Sequence, residues 1–335
     1  MRLNALRTCG AVTVCLALSS AGMSAQKTAR GGSVDAAWPE RIWQETAAPA
    51  ALDLFYGAGG RADAPDPSET YRFVKEDLAG TSPKFDVVDG QGVTWKVKLG
   101  EESQTEVAAT RLVWAAGYFT DEDYYLAELT VTGLPALKRG QQFVSPAGVV
   151  HSARMERKPV SAKKLGTWDW FDNPFVGTRE LNGLRVMMSL LNNWDLKTIN
   201  NAIEAMSGER RYVVADLGAT FGNTGNYFTR SKGVPEAYAK SAFVAAARPD
   251  SVDFVLHSRP FVLSAVDLAN YRTRTRMEEV TKRIPLNDAR WLAQRLSLLS
   301  VEQIRDCFRA AGYRPEVIEI YTETVRKRIA ELGAL

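Results

Sequence analysis

Two short polar motifs in the second half of the chain have residue types and spacings that suit chemistry on a phosphate group. The first is Asn-Trp-Asp-Leu-Lys-Thr-Ile-Asn over residues 193–200, and the second is Val-Val-Ala-Asp-Leu-Gly over residues 213–218. A carboxylate at the end of a strand, followed by a flexible glycine, suits a metal ligand beneath a triphosphate. Each motif also has a simpler interpretation, as a polar exit from a helix or as an ordinary Asp-x-Gly turn.

Both motifs resemble elements of the protein-kinase-like superfamily. The stretch Asp195-Leu-Lys197-x-x-Asn200 is similar to the kinase catalytic loop. The Asn-x-Asp opening of this stretch looks more like HipA-type kinases and the wider phosphatidylinositol-kinase-like group. Asp216-Leu-Gly218 is similar to the D-F-G element, in the D-L-G-x-x-F form of phosphatidylinositol-kinase-related proteins. The resemblance covers about residues 70–225.

This resemblance implies a role for each polar residue of the two motifs. Asp195 would orient an acceptor hydroxyl or accept its proton, and Lys197 would steady the phosphoryl group in transit. Asn200 and Asp216 would hold a metal ion on the nucleotide phosphates. The expected cofactors are therefore ATP and Mg²⁺, with Mn²⁺ as an alternative metal.

The same resemblance points to a lysine and a glutamate in the first half of the chain. In Trp-Lys-Val-Lys over residues 95–98, Lys98 stands where kinases carry the lysine that neutralises the nucleotide phosphates. Lys96 shares its strand face and is the alternative. Glu106 follows early in the next helix and would pair with the lysine. A solvated edge-strand lysine and a dipole-stabilising acid at a helix start are the simpler interpretations.

A glycine-containing loop precedes that lysine. Gly80-Thr-Ser-Pro-Lys84 lacks the usual G-x-G-x-x-G pattern, but it is similar to the Gly-x-x-Pro-Lys loop of HipA-type kinases. Backbone N–H groups near Gly80 and the Lys84 ammonium would then contact phosphate oxygens. A plain hairpin turn fits the same residues.

The elements that must position these residues follow from hydrophobic periodicity. Alternation predicts strands over 71–76, 84–88 and 93–99, and a short strand over 212–215. Helical spacing predicts helices over 104–116 and 179–192. Ser300 and Gln303 form a capping-box pattern for a helix that ends at Gly312, and Pro315 opens a last amphipathic helix to about residue 332.

This order predicts an α+β protein with the two-lobed protein-kinase-like fold, in which a strand-rich N-lobe precedes a helical C-lobe. The predicted domains are a signal peptide over 1–25, a flexible segment over 26–68, an N-lobe over 69–135 and a C-lobe over 136–335.

The first residues have the plan of a secretory signal peptide. Arg2 and Arg7 precede an apolar run over 9–18, and small residues lead to a cleavage site near Ala25. A buried N-terminal helix is the alternative, and a lipoprotein site at Cys15 is disfavoured because Val14 is not small. Export to the periplasm or the extracellular space is therefore expected, without a transmembrane segment after cleavage.

Composition excludes several classes of function. The chain of 335 residues is 45% hydrophobic and 24% charged, which is ordinary globular composition. A net charge of +3 gives no argument for a nucleic-acid partner. Two histidines weaken zinc hydrolysis and serine triads, so a secreted hydrolase is disfavoured. Cleavage would leave only Cys307, which excludes an intramolecular disulfide.

The sequence thus predicts an ATP- and Mg²⁺-dependent phosphotransferase that acts outside the cytoplasm on an unknown hydroxyl acceptor, which is a protein, a lipid head group or a small molecule. Two alternatives stay open because ATP is scarce outside the cytoplasm. One is a catalytically quiet kinase-like binding protein, or pseudokinase. The other is a kinase-like enzyme that transfers a nucleotidyl group.

Overall fold

A computed structural model describes residues 38–46, 48–158, 161–224, 230–256 and 262–335. All of them belong to one compact unit, Ala37–Leu335. The predicted signal peptide, its cleavage site and residues 26–37 lie outside the described residues. Within these ranges, no helix combines the length and the apolar character that crossing a membrane requires.

The described residues form the following elements. The strands are β1 (Glu40–Arg41), β2 (Thr70–Asp77), β3 (Lys84–Val88), β4 (Thr94–Leu99), β5 (Phe119–Thr120), β6 (Asp123–Thr132), β7 (Val149–Arg157), β8 (Lys163–Gly166), β9 (Asn201–Met206), β10 (Glu209–Val214), β11 (Val244–Ala247), β12 (Ser251–Phe254) and β13 (Ile284–Pro285). The helices are α1 (Glu102–Ala115), α2 (Arg179–Leu190), α3 (Pro235–Lys240), α4 (Val262–Val266), α5 (Leu268–Glu279), α6 (Leu286–Leu296), α7 (Val301–Ala310) and α8 (Pro315–Gly333).

Five strands close a barrel in the order β2-β3-β4-β7-β6. Side chains alternate between its inside and its outside. In β4, Trp95, Val97 and Leu99 are buried in the barrel's apolar core, whereas Lys96 and Lys98 lie on the outer face. The β4–β7 register sets Lys98 opposite Arg154 on that face. The barrel therefore presents these charged side chains outward from its apolar core.

A second sheet has the order β1-β10-β9-β8, and β5 pairs with β10 in parallel. The hairpin β9–β10 connects the two sequence motifs, because residue 200 precedes β9 and Asp216 follows β10. A third, smaller sheet consists of β11, β12 and β13.

The helices share a second apolar core, to which α1, α2, α6, α7 and α8 contribute. Local signals set their ends. Thr178 caps α2 by accepting a hydrogen bond from the Leu181 N–H, and Ser300 and Gln303 form the predicted capping box of α7. Gly117 follows α1 at a φ of 99°, where a Cβ would lie 2.4 Å from Trp43 Nε1. Glycine therefore ends this helix for a steric as well as a conformational reason.

The fold is mixed α and β, as predicted, and the predicted elements lie close to the observed ones. The strand over 84–88 and the helix from residue 315 begin where they were expected. The prediction missed several strands, among them β6, β7 and those of the third sheet, so the chain contains more strand than expected. The division into two lobes stays a prediction.

Two observations concern the predicted domain boundaries, which stay predictions. The boundary after residue 135 falls between β6 and β7, which pair along most of their length, so the strand-rich part extends to Arg157. Residues 38–68 were expected to be flexible, but Ile42 and Leu54 are buried in the helical core. The pairing of β1 with β10 fixes this segment against the second sheet, and burial of its apolar side chains in the helical core stabilises it.

Candidate active site

The Lys98 ammonium lies among three carboxylates. Its Nζ is 2.7 Å from Glu102 Oε2, 2.9 Å from Glu106 Oε2 and 2.9 Å from Asp216 Oδ1. Only 5% of Lys98 is exposed. Helix α1 begins directly after β4, so its first two turns bring Glu102 and Glu106 onto one face beside the lysine. Asp216 reaches the same ammonium from the far end of the β9–β10 hairpin. We call these four residues the Lys98 cluster.

Burial and charge act against each other in the Lys98 cluster. Burial opposes the charge of Lys98, but Glu106, Asp216 and Glu102 outweigh it and raise the pKa of Lys98. Burial also raises the pKa of Glu106, although Arg154 and Lys98 both oppose the shift. Glu102 is partly buried, yet Lys98 and Lys232 lower the pKa of Glu102 to about 2. The ammonium therefore stays charged and is fixed in direction.

Arg154 extends the ionic network behind Glu106. Its Nη1 is 3.4 Å from Glu106 Oε1 and 2.6 Å from Asp123 Oδ1, and its Nη2 is 3.0 Å from Glu156 Oε2. Asp123 is fully buried, and its Oδ2 has no hydrogen-bond partner among the described residues. Glu106 thus lies between two cations, which fix both of its oxygens.

The predicted phosphate loop lies beside the Lys98 cluster. Gly80 has a φ of 68°, and its carbonyl accepts a hydrogen bond from Arg139 Nη1 at 2.6 Å. Ser82 Oγ donates to Glu102 Oε2 at 3.0 Å, which connects the loop to the cluster. Lys84 stands opposite Lys98 in the β3–β4 register, and its ammonium is 3.7 Å from Asp77 Oδ2. The structure thus brings Gly80 and Lys84 to the same end of the barrel as Lys98.

The loop that carries Asp195 is organised by its own polar side chains. Asn200 Nδ2 donates one hydrogen bond to the Asp195 backbone carbonyl at 2.7 Å and another to Asp195 Oδ2 at 3.1 Å. Lys197 Nζ is 2.6 Å from Asp195 Oδ1, and half of the lysine side chain is exposed. Asn193 Oδ1 accepts the Asp195 N–H at 3.1 Å. Both carboxylate oxygens of Asp195 are therefore oriented by neighbours within this loop.

Three backbone hydrogen bonds hold the two motifs side by side. They join Phe221 N to Leu191 O, Trp194 N to Ala219 O and Ala215 N to Asn200 O, at 2.9, 3.3 and 3.2 Å. The last bond sets Asn200 next to the residue before Asp216. The segments that carry Asp195, Asn200 and Asp216 consequently belong to one rigid loop pair.

Backbone strain is concentrated in this loop pair. Asn192, Asp216 and Phe221 have φ values of 54°, 26° and 55°, a region that residues other than glycine seldom occupy. Such strain persists where surrounding contacts over-determine the backbone, as they do in functional sites. The turn at Asp216 directs its carboxylate to Lys98 while leaving 45% of the side chain exposed.

The Lys98 cluster also has the oxygen donors of a divalent-cation site. Glu102, Glu106 and Asp216 each offer a carboxylate oxygen, and these atoms lie within 4.8 Å of one another. Carboxylate oxygens are the donors that Mg²⁺ and Mn²⁺ prefer. The donor set therefore fits a metal ion, with Asp216 as its most exposed carboxylate and Asn200 beside it.

A cavity of about 410 Å³ lies next to this ionic face of the barrel, at Glu156. Its lining is mostly polar and includes Thr120, Glu156, Lys158, Lys164 and Glu204. Burial and the neighbouring Glu156 raise the pKa of Glu204. The cavity is large enough for a heterocyclic ring, and its walls carry both hydrogen-bond acceptors and donors.

Comparison with solved structures finds kinases. The Helicobacter pylori proinflammatory kinase CtkA is similar with a TM-score of 0.45 and 11% identity, over 79% of this chain and 96% of that chain. The Golgi casein kinase is similar with a TM-score of 0.31 and 10% identity, over 79% of this chain and 75% of that chain. A structure of the Golgi casein kinase with Mn/ADP bound has a TM-score of 0.31 and 10% identity, over 80% and 75%.

No protein-family model matches the chain, and no curated protein matches it in sequence. The structural likenesses are too distant to carry a functional argument. We therefore base the proposed function on the geometry of the site.

Sequence reasoning missed three residues of this site. Glu102 lies one helical turn before Glu106, so the i, i+4 spacing contained the signal for it. Arg154 gave no signal, because β7 was not predicted. Lys232, whose Nζ is 2.6 Å from Glu102 Oε1, comes from a distant segment without a recognisable motif.

Proposed function

We propose that this protein is an ATP- and divalent-metal-dependent phosphotransferase with a kinase-like active site. The observation that carries the proposal is the buried contact of Lys98 with both Glu106 and Asp216, beside a loop that presents Asp195 and Asn200. A lysine fixed between a helix glutamate and a motif aspartate is what phosphate binding in kinases requires.

The protein's own residues divide the work as follows. Lys98 directs its charge to the nucleotide phosphates, and Glu106 keeps it in that direction. The phosphate loop lies over the same position, with the Lys84 ammonium and the N–H groups near Gly80 as further donors. The polar cavity at Glu156 would receive the nucleobase.

Asp216 and Asn200 would hold the metal ion, with Glu102 as a further carboxylate. When bound, the metal neutralises charge on the phosphates during transfer. Asp195 would orient the acceptor hydroxyl and accept its proton as the acceptor oxygen bonds to the terminal phosphorus of ATP, while the bond from that phosphorus to the bridging oxygen breaks and ADP leaves. Lys197, which is half exposed and 2.6 Å from Asp195, can turn toward the transferred group and stabilise its charge.

We further propose that the protein acts outside the cytoplasm, in the periplasm or beyond the cell. The support is the charged start, short apolar run and small residues of the first 25 positions. ATP would then be met after delivery to a host or to another compartment. Mature-protein sequencing from a secreting culture tests this, since a chain that still begins at Met1 would contradict it.

Transfer is tested with γ-labelled ATP and Mg²⁺ or Mn²⁺, by following label on protein and release of phosphate. We expect metal-dependent turnover that Asp195→Asn abolishes without loss of nucleotide binding. Asp172→Asn is the matched control, because Asp172 is an exposed carboxylate for which no side-chain contact is described. Wild-type turnover in Asp195→Asn would exclude the assigned role. Nucleotide binding without turnover in the wild type would indicate a binding protein instead.

A further inference from the structure

A cavity of about 780 Å³ lies at α1 on the side away from the Lys98 cluster. It is enclosed by the loop over residues 53–67, by α1, by β6 and by the end of α7. Arg111 on α1 reaches into it. Because Arg111 follows Glu106 by five residues, the two side chains point about 140° apart around the helix axis.

Arg111 is almost completely buried, and no carboxylate of the described residues lies within ion-pair distance of it. Only 2% of the residue is exposed. Among the described residues its single hydrogen bond runs from Nε to the Phe55 carbonyl, at a long 3.4 Å, and its guanidinium lies 5.3 Å from the ring centre of Tyr124. Burial lowers the pKa of Arg111, although Asp123 and Tyr124 act in the other direction. An arginine in this position costs free energy unless something compensates it.

In the other two buried arginines of the described residues, both terminal nitrogens have partners. Arg154 contacts Asp123, Glu106 and Glu156. Arg328 donates to the Leu190 carbonyl at 2.8 Å and to Asn192 Oδ1 at 2.7 Å. Arg111 is the exception, since its terminal nitrogens have no hydrogen-bond partner among the described residues and the side chain lines the cavity.

The loop over 53–67 packs closely against the Arg111 side chain and borders the cavity. Gly57 has a φ of 72°, and a Cβ there would lie 2.5 Å from Arg111 Cδ and Nε. Asp53 Oδ1 accepts the backbone N–H groups of Phe55 and Tyr56, and Tyr124 donates its hydroxyl to the Gly60 carbonyl at 3.0 Å. These bonds hold the loop in place, so the cavity is preformed.

The lining sets the chemistry of the ligand. Aromatic and apolar side chains dominate the walls, and they include Phe55, Tyr56, Tyr125, Leu126 and Pro65. At the rim, Arg61 lies over the Tyr56 ring, whereas Arg309 is already neutralised by Glu302 and Asp306. A buried guanidinium without an ion-pair partner can bind one carboxylate, and the aromatic walls can pack against a planar apolar ring. These two features together suit a ligand that has one carboxylate on an aromatic group.

We propose that this cavity is a binding site for a small aromatic carboxylic acid, whose carboxylate pairs with Arg111 and whose ring lies among the aromatic side chains. The site is separate from the proposed phosphotransfer site and does not depend on that function.

The test uses phenylacetate and its neutral isostere phenylacetamide, titrated into the full-length protein by calorimetry and by thermal shift. We expect saturable binding of phenylacetate and at least roughly tenfold weaker binding of the amide. Arg111→Met should remove this preference. Ala127 lines the cavity at an exposed position, so Ala127→Trp should fill the cavity and leave Arg111 in place. This variant tests the proposal even if Arg111→Met fails to fold.

Asp172→Asn, far in sequence from the cavity, serves as the control that binds phenylacetate as the wild type does. The inference would be overturned by equal binding of acid and amide, by the absence of binding at millimolar phenylacetate, or by wild-type binding in Ala127→Trp.

Discussion

Replacing Lys98 by methionine should destabilise the fold in a pH-dependent way. Methionine keeps an unbranched side chain that is one atom shorter and removes the ammonium that three carboxylates share. Lys96→Met is the matched control, because Lys96 occupies the same face of β4 two residues earlier and has no recorded carboxylate within ion-pair distance among the described residues.

The size of the effect follows from what remains around the carboxylates. Breaking a buried ion pair and leaving its partner charged costs about 3–5 kcal/mol. Arg154 still contacts Glu106, and Lys232 still contacts Glu102, so two of the three carboxylates keep a cation. We therefore expect the lower end, about 3 kcal/mol at pH 8.

The loss should shrink at lower pH. Burial already raises the pKa of Glu106, and removal of Lys98 raises it further. When the pKa of a carboxyl group is higher in the folded state than in the unfolded state, the free energy of unfolding falls as pH rises from the unfolded-state pKa toward the folded-state pKa. The variant should thus recover part of its stability at pH 5.5, where the folded state binds the proton.

Urea unfolding of the wild type and both variants at pH 5.5 and pH 8 measures this. Lys98→Met should lose about 3 kcal/mol at pH 8 and distinctly less at pH 5.5, while Lys96→Met loses under about 1 kcal/mol at both. Equal losses for the two lysines, or a Lys98→Met loss that does not change with pH, would refute the buried Lys98 cluster.

Three further predictions concern stability. The lowered pKa of Glu102, about 2, means that wild-type stability falls by roughly 3 kcal/mol as pH drops from 4.5 toward 2, and Glu102→Gln should flatten this acid limb in unfolding curves. Gly57→Ala should lower the free energy of unfolding in urea by about 3 kcal/mol, and Gly60→Ala by only about 1 kcal/mol. Both glycines have a positive φ, but only at Gly57 would the new Cβ meet Arg111. Equal losses would contradict the packing of the loop. Ser300→Ala should cost about 1 kcal/mol through loss of the α7 capping box, and an unchanged midpoint in thermal unfolding would argue against that cap.

Local patterns in the sequence were enough to predict β4, α1 and β10, which position Lys98, Glu106 and Asp216. Alternation in β4 showed that Lys96 and Lys98 share a face, and capping residues showed where α7 begins. The choice between the two lysines needed tertiary structure, since it depends on how α1 packs against β4.

The parts that sequence reasoning missed depend on distant contacts. β7 carries Arg154 and Glu156 on a face that would look solvent-exposed in isolation, yet both belong to a buried ionic network. Ile42 and Leu54 flank an alanine-rich stretch, and only the helical core shows why they are buried. Single-sequence patterns cannot contain these partners.

The central claim is that nucleotide and metal bind together at the Lys98 cluster, with Asp216 as a metal ligand. The most direct test is calorimetric titration of the purified protein with ATP, with and without Mg²⁺ or Mn²⁺, beside Asp216→Asn and the control Asp172→Asn. We predict binding that the metal strengthens, and we predict that Asp216→Asn loses the metal-dependent part while Asp172→Asn keeps it. At a nucleotide concentration one hundred times the dissociation constant, the same binding should stabilise the fold by about 2.7 kcal/mol. Absence of binding at millimolar ATP, or equal metal dependence in Asp216→Asn, would contradict the claim.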